Sequence, residues 1–369
     1  MWYNEYITAA VILIRGTVWN CKSNCGGTVF IMKAYRIHGP HTIKLDEMDA
    51  LHVGENCIKL KNLMCGITPA DIAVYDGRMQ TKYPIVPLRQ CVGFVSEVGA
   101  NVAGISRGQR VVAYPQASCH ACKACKDAHY TECEKPRLFG VEEDGFLSDF
   151  SVVSAHDVYT IPDRISDSEA VFIEHIATAL NALSRLHVEK GDQVVIMGAT
   201  VDGIILAQLA MYYQAVPIMV DMHEQMLKLA QNAGVYFTVN AVDDNVCKKI
   251  LALTGGHMAS ACAYLSDSQM SLQSAWDYTA VRGRVAIVGK NAMADLNCNL
   301  NGMLEKNINL YTVVDCGKNY SSAINLLANR TVTVDSLCGS TVAFNDIPSA
   351  YEQLLGDHGD SRFKTLIKI

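Results

Sequence analysis

The chain has 369 residues, of which half are apolar and 18% are charged. This length exceeds what one hydrophobic core usually organises, so we expect two domains. A formal net charge of -6 and the scatter of Lys and Arg along the sequence argue against nucleic acid or an anionic membrane surface as the main partner.

Residues 1–31 are expected to be an N-terminal extension that adds nothing to the fold. The apolar run at 6–14 follows Glu5 with no Lys or Arg before it and no small-residue cleavage pattern after it, so we do not expect a signal peptide. The fourteen cysteines are scattered apart from one tight group, unlike the disulfide framework of a small secreted chain. We therefore expect a cytoplasmic protein, and no stretch predicts a transmembrane helix.

Residues 32–185 are predicted to form a mostly β domain. Residues 32–34 open a strand, and later strand-like runs such as 94–98 and 110–114 are separated by Gly, Pro and Asp. A cysteine-rich loop at 118–134 interrupts this part of the chain.

Residues 186–317 show a different rhythm, in which strands and helices alternate. The predicted elements are, in order, a strand at 194–197, a helix at 203–213, a strand at 217–220, a helix at 223–233, and strands at 285–288 and 309–314. This alternation predicts a doubly wound parallel sheet. Residues 318–369, with a helix near 321–327 and a closing strand at 363–369, are predicted to return to the first domain.

The cysteine-rich loop carries the spacing C-x2-C-x2-C-x7-C, formed by Cys119, Cys122, Cys125 and Cys133. One loop with this spacing can place four thiolates tetrahedrally around a zinc ion, which leaves no open coordination position. We therefore predict one structural zinc per chain. Four unrelated thiols are the alternative interpretation, and His120 and His129 are weaker candidate ligands.

This cysteine spacing, followed by a βαβ unit, resembles the medium-chain dehydrogenase/reductase superfamily, in its zinc-containing alcohol and polyol dehydrogenase branch. The resemblance spans about 32–369 and implies a GroES-like catalytic domain joined to a Rossmann domain that binds NAD, with NADP as the second option. It also implies a small alcohol or carbonyl substrate, and a homodimer or homotetramer paired through the apolar strand at 309–314.

Residues 66–77 and 84–90 match two segments in which the family holds its catalytic zinc. Thr68 stands where the first zinc ligand belongs, and Ala70 and Ala73 replace the hydroxyl and the histidine that family members carry there. In the second segment Arg89 replaces the zinc-binding histidine and Gln90 replaces the adjoining glutamate. The catalytic zinc shell is therefore expected to be absent, because an arginine, a threonine and an amide do not provide it.

Residues 171–178 match the segment that supplies a further acid in the family. Glu174 keeps that acid, His175 replaces the proline expected after it, and the resemblance places Thr178 near the nicotinamide. We hypothesise that Arg89 occupies the vacated zinc position and pairs with Glu174. Two alternatives stay open: Arg89 faces solvent at a dead site, or a displaced metal is bound by Cys65, Cys91 and Glu174.

The turn after the strand at 194–197 resembles a dinucleotide fingerprint and opens a helix, as such a site requires. It reads Gly198, Ala199, Thr200, Val201, Asp202, Gly203. Thr200 replaces a glycine, and Asp202 replaces an apolar residue and would compete with phosphates for backbone N–H groups. Asp221 ends the next strand at a distance suited to ribose hydroxyls, which favours NAD, although Asp is also common in turns.

The leading interpretation is an NAD(P)-dependent oxidoreductase that lacks catalytic zinc and uses Thr68, Arg89 and Glu174 as polar catalytic groups. The alternative is a pseudoenzyme that keeps the scaffold for ligand sensing or subunit assembly, because the metal site, the proton relay and the phosphate turn all depart from the family pattern. A conventional zinc alcohol dehydrogenase would require a wrong register at both Thr68 and Arg89.

Overall fold

The computed structural model describes residues 31–242, 245–265, 270–289, 298–356 and 363–369, together with the backbone of 23–24 and 27–28. Most of the predicted extension at 1–31 therefore lies outside the described residues.

The strands form a set of sheets whose members, in chain order, are β1 (Ser23–Asn24), β2 (Gly27–Thr28), β3 (Ile31–Gly39), β4 (Thr42–Asp49), β5 (Cys57–Gly66), β6 (Gln90–Val98), β7 (Arg110–Ala113), β8 (Gln116–Ala117), β9 (Arg137–Leu138), β10 (Phe150–Ser154), β11 (Val158–Thr160), β12 (Gln193–Met197), β13 (Val216–Asp221), β14 (Phe237–Asn240), β15 (Ala259–Leu265), β16 (Thr279–Val288), β17 (Asn309–Val313), β18 (Cys338–Ala343) and β19 (Lys364–Lys368).

The α-helices, in chain order, are α1 (Pro69–Tyr75), α2 (Lys123–Lys126), α3 (Asp167–Ala170), α4 (Ile173–Arg185), α5 (Val201–Tyr212), α6 (Glu224–Asn232), α7 (Val246–Leu253), α8 (Gln273–Tyr278), α9 (Asn301–Glu305), α10 (Tyr320–Ala328) and α11 (Ile347–Gly356). Short 3-10 helices lie at Tyr130–Glu132, Ala155–Asp157, Asp335–Leu337 and Phe344–Asp346. Among the described residues, each helix is too short or too polar to cross a membrane.

The first large sheet has the strand order β11-β7-β6-β5-β19-β18, and β10 also pairs with β5. Its pairs are antiparallel except for β18 and β19, which run parallel. The predicted runs at 94–98 and 110–114 fall on β6 and β7. β18 and β19 come from the C-terminal part of the chain, and β19 pairs with β5 so that Leu366 lies opposite Gly66.

The second large sheet is parallel throughout, with the order β14-β13-β12-β15-β16-β17. Its inner strand β12 is apolar and buried from Val194 to Met197, as expected for a strand covered by helices on both faces. Helix α5 is buried on nearly all sides, which explains its almost continuous apolar sequence. The prediction of a mostly β part followed by a doubly wound parallel sheet is confirmed.

Helix α4 joins the two sheets. Its apolar residues Ile173 and Ile176 belong to one buried cluster that also contains Val92 of the first sheet and Val194 of the second. The helix packs against α5 and α10. The first turn of α4 therefore faces residues of both sheets, and its polar side chains lie at the junction between them.

Candidate functional site

The four cysteines of the loop converge. Their sulfur atoms all lie within 4.8 Å of one another, and Cys119 Sγ lies 3.9 Å from Cys125 Sγ. A tetrahedral ion with Zn–S bonds of about 2.3 Å separates its sulfurs by roughly 3.8 Å, close to the spacing of this cluster, so the four sulfurs suit a zinc ion. Among the described residues, no other group of three or more His, Cys, Asp or Glu side chains is arranged to hold an ion.

Backbone N–H groups favour the thiolate form of Cys119 and Cys122, whereas burial raises the pKa of Cys125 to about 12. Cys122 N–H points to Cys119 Sγ at 3.4 Å, and hydrogen bonds from Ala121 and Cys122 lower the pKa of Cys119 to about 6. The histidines are turned elsewhere: His120 packs near the Tyr130 ring at 5.6 Å, and His129 Nδ1 lies 3.5 Å from Glu132. The four sulfurs alone therefore form the candidate metal site.

Thr68 caps the N-terminus of α1 and is bound to a buried carboxylate. Its N–H and its hydroxyl donate to Asp71 Oδ2 at 2.7 and 2.6 Å, and Leu88 N–H donates to Asp71 Oδ1 at 3.0 Å. Burial raises the pKa of Asp71, although Arg89 and the Thr68 hydrogen bonds counteract part of that effect. The Thr68 hydroxyl is thus committed to Asp71.

Arg89 lies against Glu174. Leu88 adopts a left-handed conformation with φ of 73°, and Arg89 follows it immediately before β6. Arg89 Nε donates to Glu174 Oε1 at 2.9 Å, and the two side chains are 21% and 10% exposed. Burial alone would lower the pKa of Arg89, but Glu174 and Asp71 raise it, so the guanidinium is permanently charged.

The second oxygen of Glu174 is bound by the residue after Arg89. Gln90 Nε2 donates to Glu174 Oε2 and lies 3.2 Å from His175 Nε2. Gln90 is almost fully buried, and its Oε1 has no hydrogen-bond partner in the described part of the chain. One amide group therefore connects the Arg89–Glu174 pair to His175.

His175 forms a further pair with the first turn of α5. Its Nδ1 lies 2.7 Å from Asp202 Oδ1, and the two side chains are 12% and 28% exposed. Burial would raise the pKa of Asp202, but His175 outweighs it, and the pKa of Asp202 lies below its ordinary value. The carboxylate at the dinucleotide turn is therefore ionised and turned toward α4.

Lys364 of β19 is the second cationic side chain of this charged cluster. It is only 4% exposed, and its Nζ donates to Ile67 O at 2.8 Å. Burial lowers the pKa of Lys364 to about 8, although Glu174 and Asp71 favour its charged form. The cluster thus combines two cationic side chains with three carboxylates and His175.

The dinucleotide turn keeps two features of a phosphate-binding loop. Gly198 has a φ of 113°, which glycine adopts readily. A Cβ on Gly203 would lie 2.0 Å from Gly198 O, so only glycine allows this approach of helix to strand. Thr200 caps α5, because its Oγ1 accepts from Gly203 N–H at 3.3 Å.

Asp221 closes the same turn from β13. Its Oδ2 accepts from Ala199 N–H at 2.7 Å, and its Oδ1 accepts from His223 N–H at 2.7 Å. His223 Nδ1 lies 3.0 Å from the same Oδ1.

Val201 and Asp202 supply the first backbone N–H groups of α5, which have no partner within the helix. Thr178 lies one helical turn beyond Glu174, with its Oγ1 3.6 Å from Cys316 Sγ.

Two family models match the chain in the parts that carry these sites. The alcohol dehydrogenase GroES-like domain matches residues 54–163, and the zinc-binding dehydrogenase model matches residues 203–329. Together they cover more than half of the chain. The chain belongs to the zinc-type alcohol dehydrogenase family.

Similar proteins of this family cover nearly the whole chain. An uncharacterized zinc-type alcohol dehydrogenase-like protein of Haemophilus influenzae is 28% identical over 90% of this chain and 97% of its own length. The sorbitol dehydrogenase of Bacillus subtilis is 24% identical over 88% and 94%. An alcohol dehydrogenase of Escherichia coli CFT073, solved in complex with NADH, has a TM-score of 0.82, 22% identity and coverage of 92% and 99%.

Membership of the zinc-type alcohol dehydrogenase family confirms the predicted class, an oxidoreductase with a GroES-like part and a Rossmann part. Zinc and a nicotinamide cofactor belong to that family in general. The structure also brings into the site three polar groups to which sequence patterns assigned no role, namely Asp71, His175 and Lys364. His175 stands at a position where proline was expected, which was the one available signal; nothing in the sequence linked it to Asp202.

Proposed function

We propose that the protein is an NAD(P)-dependent oxidoreductase that transfers hydride to or from a small alcohol, polyol or carbonyl without a catalytic zinc. The observation that carries this proposal is the Arg89–Glu174 ion pair at the position that the family resemblance assigns to the catalytic metal. Arg89, Glu174 and Thr68 are its proposed catalytic-site residues, and Thr68 acts through Asp71.

The donor set around Glu174 does not fit zinc. Both carboxylate oxygens of Glu174 are already bound, one by Arg89 and one by Gln90. A guanidinium beside the site repels a divalent cation, and an amide or hydroxyl does not replace a thiolate or imidazole. We therefore derive no step through a catalytic metal.

The displaced metal site is also not supported. Cys65 and Cys91 are buried neighbours on β5 and β6. Cys65 Sγ lies 3.6 Å from Phe146 O, and Cys91 Sγ lies 3.4 Å from Asn62 Oδ1. Burial raises the pKa of Cys65, which disfavours the thiolate that binds metal.

The dinucleotide turn fits a nicotinamide cofactor. Gly198, Ala199, Thr200, Val201, Gly203, Asp221 and Thr178 are the proposed cofactor-binding residues. The first N–H groups of α5, which have no partner within the helix, suit a pyrophosphate, and the contact with His175 Nδ1 at 2.7 Å turns the carboxylate of Asp202 toward α4. The buried carboxylate of Asp221 suits ribose hydroxyls and repels a 2′-phosphate, so we propose NAD as the preferred cofactor and NADP as the weaker one.

A bound nicotinamide would supply the hydride acceptor or donor. Arg89 supports the reaction with a fixed positive charge that polarises a substrate carbonyl or holds a substrate carboxylate, and Glu174 holds the guanidinium in place. Because the cluster is largely buried, these charges act in an environment of low dielectric constant, where their effect on a reacting group is greatest.

The second candidate is a catalytically inactive scaffold for ligand sensing or assembly. One observation favours it: Ala199 and Gly203 donate their N–H groups to Asp221 and Thr200, so these two donors are not free for phosphates. In either case we propose one structural zinc on the four cysteines. We also propose a homodimer or homotetramer paired through β17, an edge strand on which Leu310 is exposed.

Metal analysis and cofactor titration of the purified protein test the proposal together. We expect about one zinc per chain and quenching of protein fluorescence by NADH with saturation. In a Thr68→Cys, Arg89→His double variant we expect a second zinc, because two ligands are restored. A reproducible second zinc in the unaltered protein contradicts the metal-free site. Failure of NADH to bind at millimolar concentration supports the inactive scaffold.

A further inference from the structure

Within the ranges that the structure describes, the guanidinium of Arg89 makes a hydrogen bond through one nitrogen and none through the other two. Nε donates to Glu174, whereas Nη1 and Nη2 have no hydrogen-bond partner among the described residues, and 21% of the side chain is exposed. An arginine fixed in this way presents two parallel N–H donors. That geometry matches a planar carboxylate, which accepts both bonds at once.

His175 has the geometry of an oriented acid–base group. His175 Nδ1 lies 2.7 Å from Asp202 Oδ1, and in the tautomer that donates this hydrogen bond the lone pair of the ring is on Nε2. Nε2 lies 3.2 Å from Gln90 Nε2, a long contact that a substrate hydroxyl can replace. An aspartate that fixes the tautomer and stabilises the protonated ring is the arrangement that acid–base catalysis by histidine requires.

The other titratable groups around His175 are already committed. Glu174 on the same helix is bound by Arg89 and Gln90, Asp71 of α1 accepts from Thr68 and Leu88, and Lys364 of β19 donates to Ile67 O. Asp202 interacts with the ring directly, and the remaining charged groups of the cluster, Glu174, Asp71, Arg89 and Lys364, interact with one another. His175 is thus the group of this cluster best placed to exchange a proton.

Arg89 and His175 flank the same Glu174–Gln90 pair, which places an anion-binding fork next to a proton acceptor. A molecule that uses both groups has a carboxylate beside a hydroxyl or carbonyl carbon. We propose that the substrate is a 2-hydroxy acid or the corresponding 2-oxo acid, with Arg89 binding the carboxylate and His175 exchanging the hydroxyl proton. This inference rests on the proposed hydride-transfer function.

The proposed step balances. The C2–H bond of the hydroxy acid breaks, and its hydride passes to the oxidised nicotinamide. The O–H bond breaks as its proton moves to His175 Nε2, and the C–O single bond becomes the carbonyl double bond of the 2-oxo acid. The substrate is oxidised by two electrons and the cofactor is reduced by the same two; the reverse reaction returns the proton from His175.

A matched substrate pair tests the carboxylate. With the full-length zinc-containing protein and NAD, we expect kcat/KM for 2-hydroxypropanoate to exceed that for propane-1,2-diol at least about hundredfold. The diol has no carboxylate, so it leaves Nη1 and Nη2 of Arg89 without an acceptor. Arg89→Met should abolish this preference, and Arg89→Lys should recover only part of it. A binding readout without cofactor is also expected: oxalate raises Tm of the unaltered protein but not of Arg89→Met.

His175 is tested by its pH profile. His175→Gln should lower kcat about 10²–10⁴-fold with little change in KM and remove the pH dependence of kcat/KM that we expect from a histidine acid–base group. The matched control is His38→Gln, which removes another aspartate-paired histidine, 2.8 Å from Asp46 on the outer β3–β4 hairpin. We expect the control to keep both kcat and the pH profile.

The outcomes are distinguishable. If the diol is oxidised as well as the hydroxy acid, the substrate inference fails while the proposed hydride transfer stands. A preference for a phosphate monoester over the carboxylate also overturns it. If His175→Gln keeps the kcat and pH profile of the unaltered enzyme, the proton-exchange role fails. Absence of both NADH binding and turnover with all these compounds overturns the proposed function itself.

Discussion

Removal of the Glu174 charge is the most direct perturbation of the candidate site. In Glu174→Gln the guanidinium of Arg89 loses its carboxylate, although the new amide oxygen still accepts a hydrogen bond. Breaking a buried ion pair at one partner destabilises a protein by about 3–5 kcal/mol. Arg89 is 21% exposed and also faces Asp71, so water and the second carboxylate offset part of this loss. We expect a decrease in the free energy of unfolding of about 2 kcal/mol.

A double-mutant cycle isolates the pair. Glu174→Gln, Arg89→Met and the double variant are compared by urea denaturation of the zinc-containing protein, and we expect a coupling energy of about 1–2 kcal/mol. The control cycle uses the exposed pair Lys228–Glu224, separated by 3.9 Å, for which at most about 0.5 kcal/mol is expected. A coupling energy at Arg89–Glu174 no larger than that of the control refutes the reasoning.

Three further predictions concern other parts of the molecule. Cys125→Ser should reduce the zinc content from about one per chain to none, whereas Cys57→Ser, outside the loop, should keep it, as measured by mass spectrometry. Gly203→Ala should lower the free energy of unfolding by about 1–3 kcal/mol, because the added Cβ lies 2.0 Å from Gly198 O; an unchanged Tm contradicts this. Because the folded-state pKa of Lys364 is lowered to about 8, the unfolded chain binds more protons above that pH, so this residue should add stability as pH rises from 8 toward 10.5. Lys364→Met should remove that rise, and identical pH–stability curves for the two proteins would exclude it.

The fold followed from local patterns. The alternation of apolar strands and helices in 186–317 predicted a parallel sheet, because β12 and β13 read as continuous apolar runs that only a doubly covered sheet buries. Most predicted bounds differ from the structure by one or two residues, but β6 begins four residues before the predicted 94 and β16 begins six residues before the predicted 285. The helix predicted at 203–213 is Val201–Tyr212, because the Thr200 side chain caps it earlier.

The candidate site was partly accessible from the sequence. The resemblance to the family assigned Arg89 and Glu174 to the surroundings of the same metal site, and in the structure Arg89 Nε lies 2.9 Å from Glu174 Oε1. The pairing of His175 with Asp202 was not accessible, because the two residues lie on α4 and α5 and only the packing of these helices joins them. Lys364 was missed for the same reason: its burial depends on where β19 enters the first sheet.

The position of β19 also constrains how the protein is made. Strand β5 is complete once residue 66 is synthesised, yet its pairing partners Leu366 and Ile367 leave the ribosome some 300 residues later. Until then, the end of β5 that carries Cys65 and Gly66 has unpaired backbone N–H and C=O groups on the edge where β19 will later pair. During translation the nascent first sheet is therefore exposed to mispairing, whereas the parallel sheet between residues 193 and 313 can close without waiting for the end of synthesis.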